Sequence, residues 1–456
     1  MIRDPSLRDR VHRGPPLRQK QLAQDLRRSL ALILAGGVGS RLNVLVHHRA
    51  KPAVPFGAIY RIIDFSLSSV MNSGLERVGI LTQYLPYSLT DHVGNGEAWG
   101  LIGRSREVKI LPPHQGTEAS DWYQGTADAV HQNLSYIERH DPELVVVLSG
   151  DHVYSMDYAA LIAHHLESGA DATIAVRTVP MEEASSFGTV HVDCDSWVTG
   201  FEEKPEKPVS NLISMGIYVF TTSALVRRLV EITGAGRGTD FGHHIFPIML
   251  AEGSRLSTFL WDGYWQDVGT LRAYFDAHMD LIHPGHPLDL RSWGIRTNLE
   301  EHRLGDRPAA LVSASGSIRQ SYMARGCRIE GDVLTSVLGP GVVIEPGAVV
   351  RSSILMHDCQ VGAGAVLENV ILDKQVVVGA ESNLGAEGDL TPNERFPGHL
   401  DSGISLIGKN ARLPARTRLG RNVVVFPQTD LSKLGVRSVE SGETIEVSET
   451  PAGGSR

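Results

Sequence analysis

The stretch LALILAGGVGSR, residues Leu30 to Arg41, decides the fold class. Ala31 to Ala35 form a short unbroken apolar run of the kind buried in a parallel sheet, and glycines at 36, 37 and 39 follow at once. That is a strand running into a glycine loop. Glycine admits positive φ and carries no Cβ, so consecutive N–H groups can turn toward one anion, with phosphate the natural candidate. Arg41, just past the loop, adds a planar fork that grips phosphate oxygens in pairs. A Walker loop would need GxxxxGK followed by Ser or Thr, and the dinucleotide fingerprint needs a third glycine where Leu42 stands, so neither applies. Taken alone, the stretch fits a tight turn as well as a phosphate cradle.

Downstream, Arg49-Ala-Lys-Pro-Ala-Val-Pro-Phe-Gly57 is stiffened by Pro52 and Pro55, which block a helix and keep Lys51 on irregular backbone near the glycine loop. Asp64 opens a helix closed by Gly74, and Val78 to Thr82 is the next buried strand, with Gln83 at its carboxyl end, where ligands sit in open α/β sheets. Trp122-Tyr-Gln-Gly-Thr-Ala-Asp-Ala129 opens another helix: Gly125 permits a close backbone approach, Thr126 is placed to cap, and Asp128 lies in the first turn. The aromatic pair Trp122 and Tyr123 reads either as core packing or as a flat surface for a base. Leu144 to Leu148 is a central strand followed by Ser-Gly-Asp-His-Val-Tyr154. Asp151, behind a glycine at a strand's carboxyl edge, is a metal-ligand candidate, with capping of the helix near Tyr158 as its structural alternative; for His152 a hydrogen-bonding role is expected.

Asp171 to Val179 is a strand, and Phe187 to Val190, Thr199 to Glu203 and Ser214 to Phe220 read as a β-rich lid over the second half of the sheet. Glu203 and Lys204 together offer an acceptor for sugar hydroxyls and a cation for phosphate, and Ser214 adds a hydroxyl; solvated charge is the ordinary meaning of such a pair. Tyr264-Trp-Gln-Asp-Val-Gly-Thr270 places Asp267 ahead of a helix from about Leu271 to Ile282, and Asp151 with Asp267 would supply the one or two carboxylates that Mg²⁺ takes from protein. From Ile318 the rhythm changes to aliphatic residues near every sixth place. Ile344, Val361 and Val378 recur seventeen residues apart, and Ile407, Leu413 and Leu419 run in phase over three hexads, the signature of a hexapeptide β-helix. A solenoid with open ends favours oligomers.

At 456 residues the chain is expected to hold two domains. Its 42% hydrophobic and 21% charged residues describe a globular protein, no apolar run reaches the length of a membrane span, and no apolar signal-peptide core stands at the N-terminus, so a cytoplasmic protein without a membrane partner is expected. A net charge of −9 argues against a nucleic-acid partner. Cys194, Cys327 and Cys359 are too scattered for a disulfide framework and read as free, buried thiols. The expected organisation is a basic N-terminal extension over residues 1–28, read either as a disordered, solvated arm or as one that turns into a short helix from about Leu17, a catalytic domain over 29–285, a linker over 286–317, the β-helix over 318–448 and a disordered tail over 449–456.

With the glycine loop, RAKPAVPFG, YRIIDF, WYQGTADA, GDHVY, EKP, SMGIYVF and YWQDVGT all placed, the chain resembles the bacterial glucose-1-phosphate adenylyltransferase (ADP-glucose pyrophosphorylase) family of sugar nucleotidyltransferases. The resemblance implies an α/β Rossmann-like nucleotidyltransferase domain with a mixed, mainly parallel sheet, followed by a left-handed parallel β-helix of hexapeptide repeats, usually as a homotetramer. It implies synthesis of ADP-glucose for glycogen from ATP and glucose 1-phosphate with Mg²⁺. Arg41 and Lys51 would hold the triphosphate, Asp151 and Asp267 the metal, Lys204 the sugar phosphate, and Gly188, Glu203, Ser214 and Tyr123 the sugar side; Arg41, Lys51, Asp151 and Lys204 would form the catalytic set. Gly36, Gly37, Gly39, Gln83, Tyr123, Gly125 and Thr126 would belong to the nucleotide and coupling loops. His48, Arg49 and Arg61 fall in the segment that the resemblance ties to phosphorylated metabolite effectors. His48 stands where some relatives carry lysine, which points to a sugar-phosphate activator that is weaker, different or absent. The readings left beside this one are another nucleotide or sugar 1-phosphate, a non-catalytic regulatory subunit, and an acyltransferase, for which His357 and His399 lack a supporting constellation.

Overall fold

The computed structural model describes residues 16–37, 39–113 and 122–446; most of the basic arm and the tail expected from residue 449 lie outside the described residues. Contacts divide the chain into two compact units. One comprises Met1–Gly37, Ile63–Trp265 and Trp293–Arg296, the other Val38–Ile62, Gln266–Ser292 and Thr297–Arg456.

In the first unit, α1 (Pro16–Arg27) leads into β1 (Ser29–Ala35), as the reading from Leu17 expects. There follow α2 (Ile63–Asn72), β2 (Arg77–Thr82), α3 (Tyr87–Val93), β3 (Glu107–Leu111), α4 (Thr126–His131), α5 (Leu134–His140), β4 (Leu144–Ser149) and α6 (Tyr158–Ser168). β5 (Ala172–Thr178), β6 (Gly188–Val192), β7 (Val198–Glu203), β8 (Leu212–Thr221) and β9 (Leu256–Leu260) complete the sheet. Nine strands form one sheet in the order β7-β6-β8-β4-β1-β2-β3, with β5 on β8 and β9 on β5. β1 runs parallel between β2 and β4, so SLALILA and LVVVLS lose both faces to the interior, which is why they carry no polar alternation. Their carboxyl ends deliver Gly36 and Gly150 to one edge.

β6, β7 and β8 are not a separate lid. β8 runs antiparallel to β4 over Tyr218 to Thr221 and joins β6 at Ile213, so these strands extend the main sheet. In its pairing with β5 the register of β8 shifts between Ser214 and Tyr218, where Gly216 takes φ 68°. Alternating strands look the same in sequence whether they cap a sheet or lengthen it.

The second unit is dominated by a parallel β-helix with faces of six, seven and seven short strands. Ile344 pairs with Val361 and Val361 with Val378, the seventeen-residue register read from the sequence. Ile407, Leu413 and Leu419 fall on three successive faces. The ladder opens at Leu311, ahead of Ile318, and the chain between Leu384 and Ser405 leaves it before rejoining. Corners recur in the left-handed backbone region, at Thr335, Ser352 and Asn369 for one edge. Helix α7 (Leu271–Ile282) and the hairpin Pro55–Phe56 with Tyr60–Arg61 belong to this unit. Among the described residues no helix is long and apolar enough to cross a membrane.

Candidate active site

The glycine loop begins where β1 ends. A Cβ on Gly36 would lie 3.2 Å from Gln83 Cβ, so the missing side chain brings the end of β2 against the loop, while Gly37 faces open space. Gln83 Nε2 donates to the Tyr123 carbonyl at 3.3 Å. The Tyr123 ring is buried; its hydroxyl donates to the Leu111 carbonyl and accepts from Asn133 Nδ2, and burial pushes its pKa up. Tyr123 therefore reaches Gln83 through backbone alone. Trp122, read either as core or as a surface for a base, is 54% exposed and is not core.

Gly125 meets chain rather than open space: a Cβ there would sit 2.3 Å from the Thr239 carbonyl oxygen. That oxygen accepts from the amides of Ala127 and Asp128, satisfying the first turn of α4. Thr126 does not cap its helix; its hydroxyl donates to Asp240 Oδ2 at 2.8 Å and accepts from the Phe241 amide. Asp128 reaches back to accept from the Gln124 amide, while the cap role that sequence gave to Thr126 falls to the Thr239 carbonyl.

β4 ends in a turn that only glycine fits, since a Cβ on Gly150 would come 2.8 Å from Ile33 Cγ2. Its amide donates to the Leu34 carbonyl, tying the turn to β1. Asp151 follows, with Oδ1 accepting from Ser149 Oγ and lying 3.4 Å from His152 Nε2. The capping alternative for Asp151 falls away because Asp157 caps α6, accepting from the Ala159 amide. The His152 ring packs edge-on to Trp265 at 5.0 Å between centroids.

Gly188 and Glu203 face each other across the β6–β7 pair, and a Cβ on Gly188 or Gly242 would collide with Glu203 Oε2. The carboxylate thus lies in a slot between two glycines, and desolvation there pushes its pKa up against the pull of Lys204. Lys204 is 61% exposed, with Nζ 3.7 Å from Glu203 Oε1. Ser214 is turned inward: its Oγ accepts from the Gly216 amide and lies 3.3 Å from the Tyr218 hydroxyl. Gly188, Glu203 and Lys204 therefore form a cluster, while the Ser214 hydroxyl is engaged inside its own strand.

In the second unit, Gly39 takes φ 65° and leaves room for Lys51, whose Cβ a substituent would meet at 2.9 Å. Lys51 is buried, and its Nζ lies 3.0 Å from Asp267 Oδ1 across 216 residues of chain. Arg41 is exposed. Behind Asp267, Thr270 caps α7, and α7 grips the hairpin: Tyr274 donates to the Pro55 carbonyl, and His278 Nε2 accepts from the Gly57 amide. The His278 Nδ1 faces the Tyr274 carbonyl at 2.8 Å, and burial lowers its pKa to about 4.

His48 is exposed, and desolvation with neighbouring His47, Lys409 and Arg49 lowers its pKa. Arg49 and Arg61 are buried. Arg49 grips both oxygens of Asp373, and Arg61 pairs with Glu301 and donates to the Ala53 carbonyl. Lys374, also buried beside them, has its pKa driven far down by desolvation and by the two arginines. Sequence reading missed these acids, since nothing local to Asp373 or Glu301 signals partners 324 and 240 residues away. It also missed Asp240, Gly242, Tyr274 and the hydroxyls around Asp151, although DFG at residues 240–242 and serines at 66, 69 and 73 were visible patterns.

Asp151 and His152 stand side by side in the first unit and Asp267 lies in the second, and each aspartate offers the hard carboxylate oxygen that a divalent ion takes. Residues 30–283 match the Nucleotidyl transferase family, and residues 308–407 match the GlmU-like C-terminal hexapeptide family. The chain is 47% identical over 419 residues to a glucose-1-phosphate adenylyltransferase of Thermomicrobium roseum, covering 91% of this chain and 96% of the relative. It is 41% identical to that of Acetivibrio thermocellus, covering 91% and 97%, and 42% identical to that of Pseudothermotoga lettingae, covering 92% and 99%. A strand-to-glycine loop, an acid behind Gly150 and a hexapeptide solenoid thus occur on a sequence that these relatives match nearly end to end, and the chain belongs to the glucose-1-phosphate adenylyltransferase family.

Proposed function

We propose that this chain transfers the adenylyl group of ATP to glucose 1-phosphate, giving ADP-glucose and diphosphate for the synthesis of glycogen. What carries the reading is the match to glucose-1-phosphate adenylyltransferases along 91% of the chain. The cluster of Glu203, Lys204 and Gly188 supports it, since it offers a hydroxyl acceptor and a phosphate cation at one place.

In this reading a phosphate oxygen of glucose 1-phosphate attacks the α-phosphorus of ATP in line and diphosphate leaves. The attacking oxygen is already ionised, so no side chain has to remove a proton. The work of the protein is alignment and neutralisation of two polyanions. Lys204 takes the sugar phosphate, and Glu203 accepts from sugar hydroxyls. Arg41 and Lys51 face the triphosphate, with Gly36, Gly37 and Gly39 giving backbone amides access to it. Gln83, Tyr123, Gly125 and Thr126 order the nucleotide and coupling loops, the last three from behind. Mg²⁺ would be held by Asp151 and Asp267, two hard oxygen donors of the kind it takes, and would neutralise charge on the triphosphate.

The same reading takes the domain limits as 29–285 and 318–448, a homotetramer as the assembly, phosphorylated metabolites as effectors, and the ATP-containing cytoplasm as the location. Leu311 and Tyr322, 59% and 41% exposed on the first coil, support association of copies. The test is a diphosphate-release assay of the purified chain with ATP, Mg²⁺ and glucose 1-phosphate, run beside UTP and mannose 1-phosphate and with fructose 1,6-bisphosphate, fructose 6-phosphate, 3-phosphoglycerate, AMP and inorganic phosphate as effectors. Faster turnover with another nucleotide or sugar would overturn the substrate assignment, and no turnover with any pair would leave a regulatory subunit.

A further inference from the structure

Behind Asp151 runs a chain of hydroxyls that nucleotide or sugar binding does not require. The Tyr158 and Tyr154 hydroxyls are 2.6 Å apart in a region with no exposure, and Tyr154 Oη lies 3.4 Å from Ser66 Oγ. Ser66 donates to the Ser149 carbonyl at 2.9 Å, and the Ser149 hydroxyl donates to Asp151 Oδ1. Ser66 and Ser69 share one face of α2 and Ser73 follows its last residue; Ser69 accepts from the Met156 amide and Ser73 from the Tyr158 amide. The helix and the serine after it therefore meet the turn from Ser149 to Tyr158 at three points, with hydroxyls where aliphatic packing is the ordinary choice. Buried polar groups are costly unless bonded, and a fully bonded set fixes a single geometry.

We infer that Ser149 is a positioning residue for Asp151. Its hydroxyl holds one carboxylate oxygen and so sets the rotamer in which the acid meets the cation, while Ser66 and Tyr154 hold Ser149 in turn. This rests on the metal role proposed above for Asp151. Groups that orient metal ligands typically change metal affinity by about 10- to 100-fold when removed.

The experiment measures Mn²⁺ binding to the full chain by the paramagnetic resonance of free Mn²⁺, with ADP-glucose present, alongside thermal melts. Ser149→Ala is expected to weaken Mn²⁺ binding about tenfold at an unchanged melting temperature. Ser149→Thr, which keeps the hydroxyl, should restore it, and Tyr154→Phe should move it less in the same direction. If Ser149→Ala binds Mn²⁺ like the parent while Asp151→Asn loses it, the positioning role is wrong and the metal reading stands. If Asp151→Asn itself binds like the parent, the metal reading fails and this inference with it. A loss in Ser149→Ala that follows a lowered melting temperature and is not restored by Thr would make the serine a packing residue only.

Discussion

Replacing Asp151 by Asn removes a charge while keeping the side chain's shape, so it separates electrostatics from packing. Loss of one preorganised electrostatic partner costs about 10²- to 10³-fold in rate, and Asp151→Asn should lose at least that much turnover with Mg²⁺ while melting like the parent. Near-native turnover in the folded variant would remove Asp151 from the chemistry. In the proposed function Lys204, exposed beside Glu203, serves one substrate only, so Lys204→Ala should raise the KM for glucose 1-phosphate strongly and leave that for ATP almost unchanged. Equal rises in both would contradict its role. The place of Asp151 just past β4, behind Gly150, was legible because the apolar run and the glycine both stand in the local sequence. Tyr123 and Thr126 were less legible, because the partners that settle their hydroxyls, Asn133 and Asp240, are chosen by tertiary packing and leave no local mark.

At the level of elements, two close fits can be tested by stability. A methyl on Gly125 must displace the Thr239 carbonyl, which also accepts from the first amides of α4, so Gly125→Ala should destabilise by about 1–3 kcal/mol in urea unfolding. His278 is held neutral: one ring nitrogen accepts from the Gly57 amide, and a protonated ring would have no acceptor there. Its folded pKa of about 4 lies below the ordinary 6.5, as does that of His165, buried among Thr173 and Thr221. The unfolded chain therefore binds more protons between those values. Stability should fall as pH drops from about 6.5 toward 4, by up to about 3 kcal/mol per histidine, and level off below. Melting temperatures across that range should decline less steeply in His278→Gln than in the parent; parallel declines would exclude the ring as a source. Helices and strands with strong periodicity, such as α7 and β4, were readable in advance. The merging of β6 to β8 with the main sheet was not, because pairing across Gly216 depends on partners some seventy residues apart.

For the molecule as a whole, the seventeen-residue repeat made the solenoid plain in sequence, whereas the allotment of residues 38–62 to the same compact unit as the solenoid was invisible. The Arg49–Asp373 pair shows why: it is a single long-range contact, both partners buried, with no periodic signal to announce it. Arg49→Ala would leave the Asp373 carboxylate buried without its guanidinium and should cost about 3–5 kcal/mol, whereas Arg49→Met with Asp373→Leu should recover most of that. Urea midpoints of the single and double variants measure the difference, and a harmless single change would show that water reaches the acid. The stacking of Ile344 beneath Val361 has one more implication, for how such a chain can change its length. Excision of residues 344–360 would join equivalent rungs and leave every later aliphatic side chain facing inward, whereas cutting one residue fewer would turn them all to water. Viable losses along the uninterrupted rungs from Ile344 to Val378 should therefore come in whole-rung steps, with other lengths confined to loops that leave the ladder, as between Leu384 and Ser405, and paired deletions differing by a single codon would be separated cleanly by soluble expression.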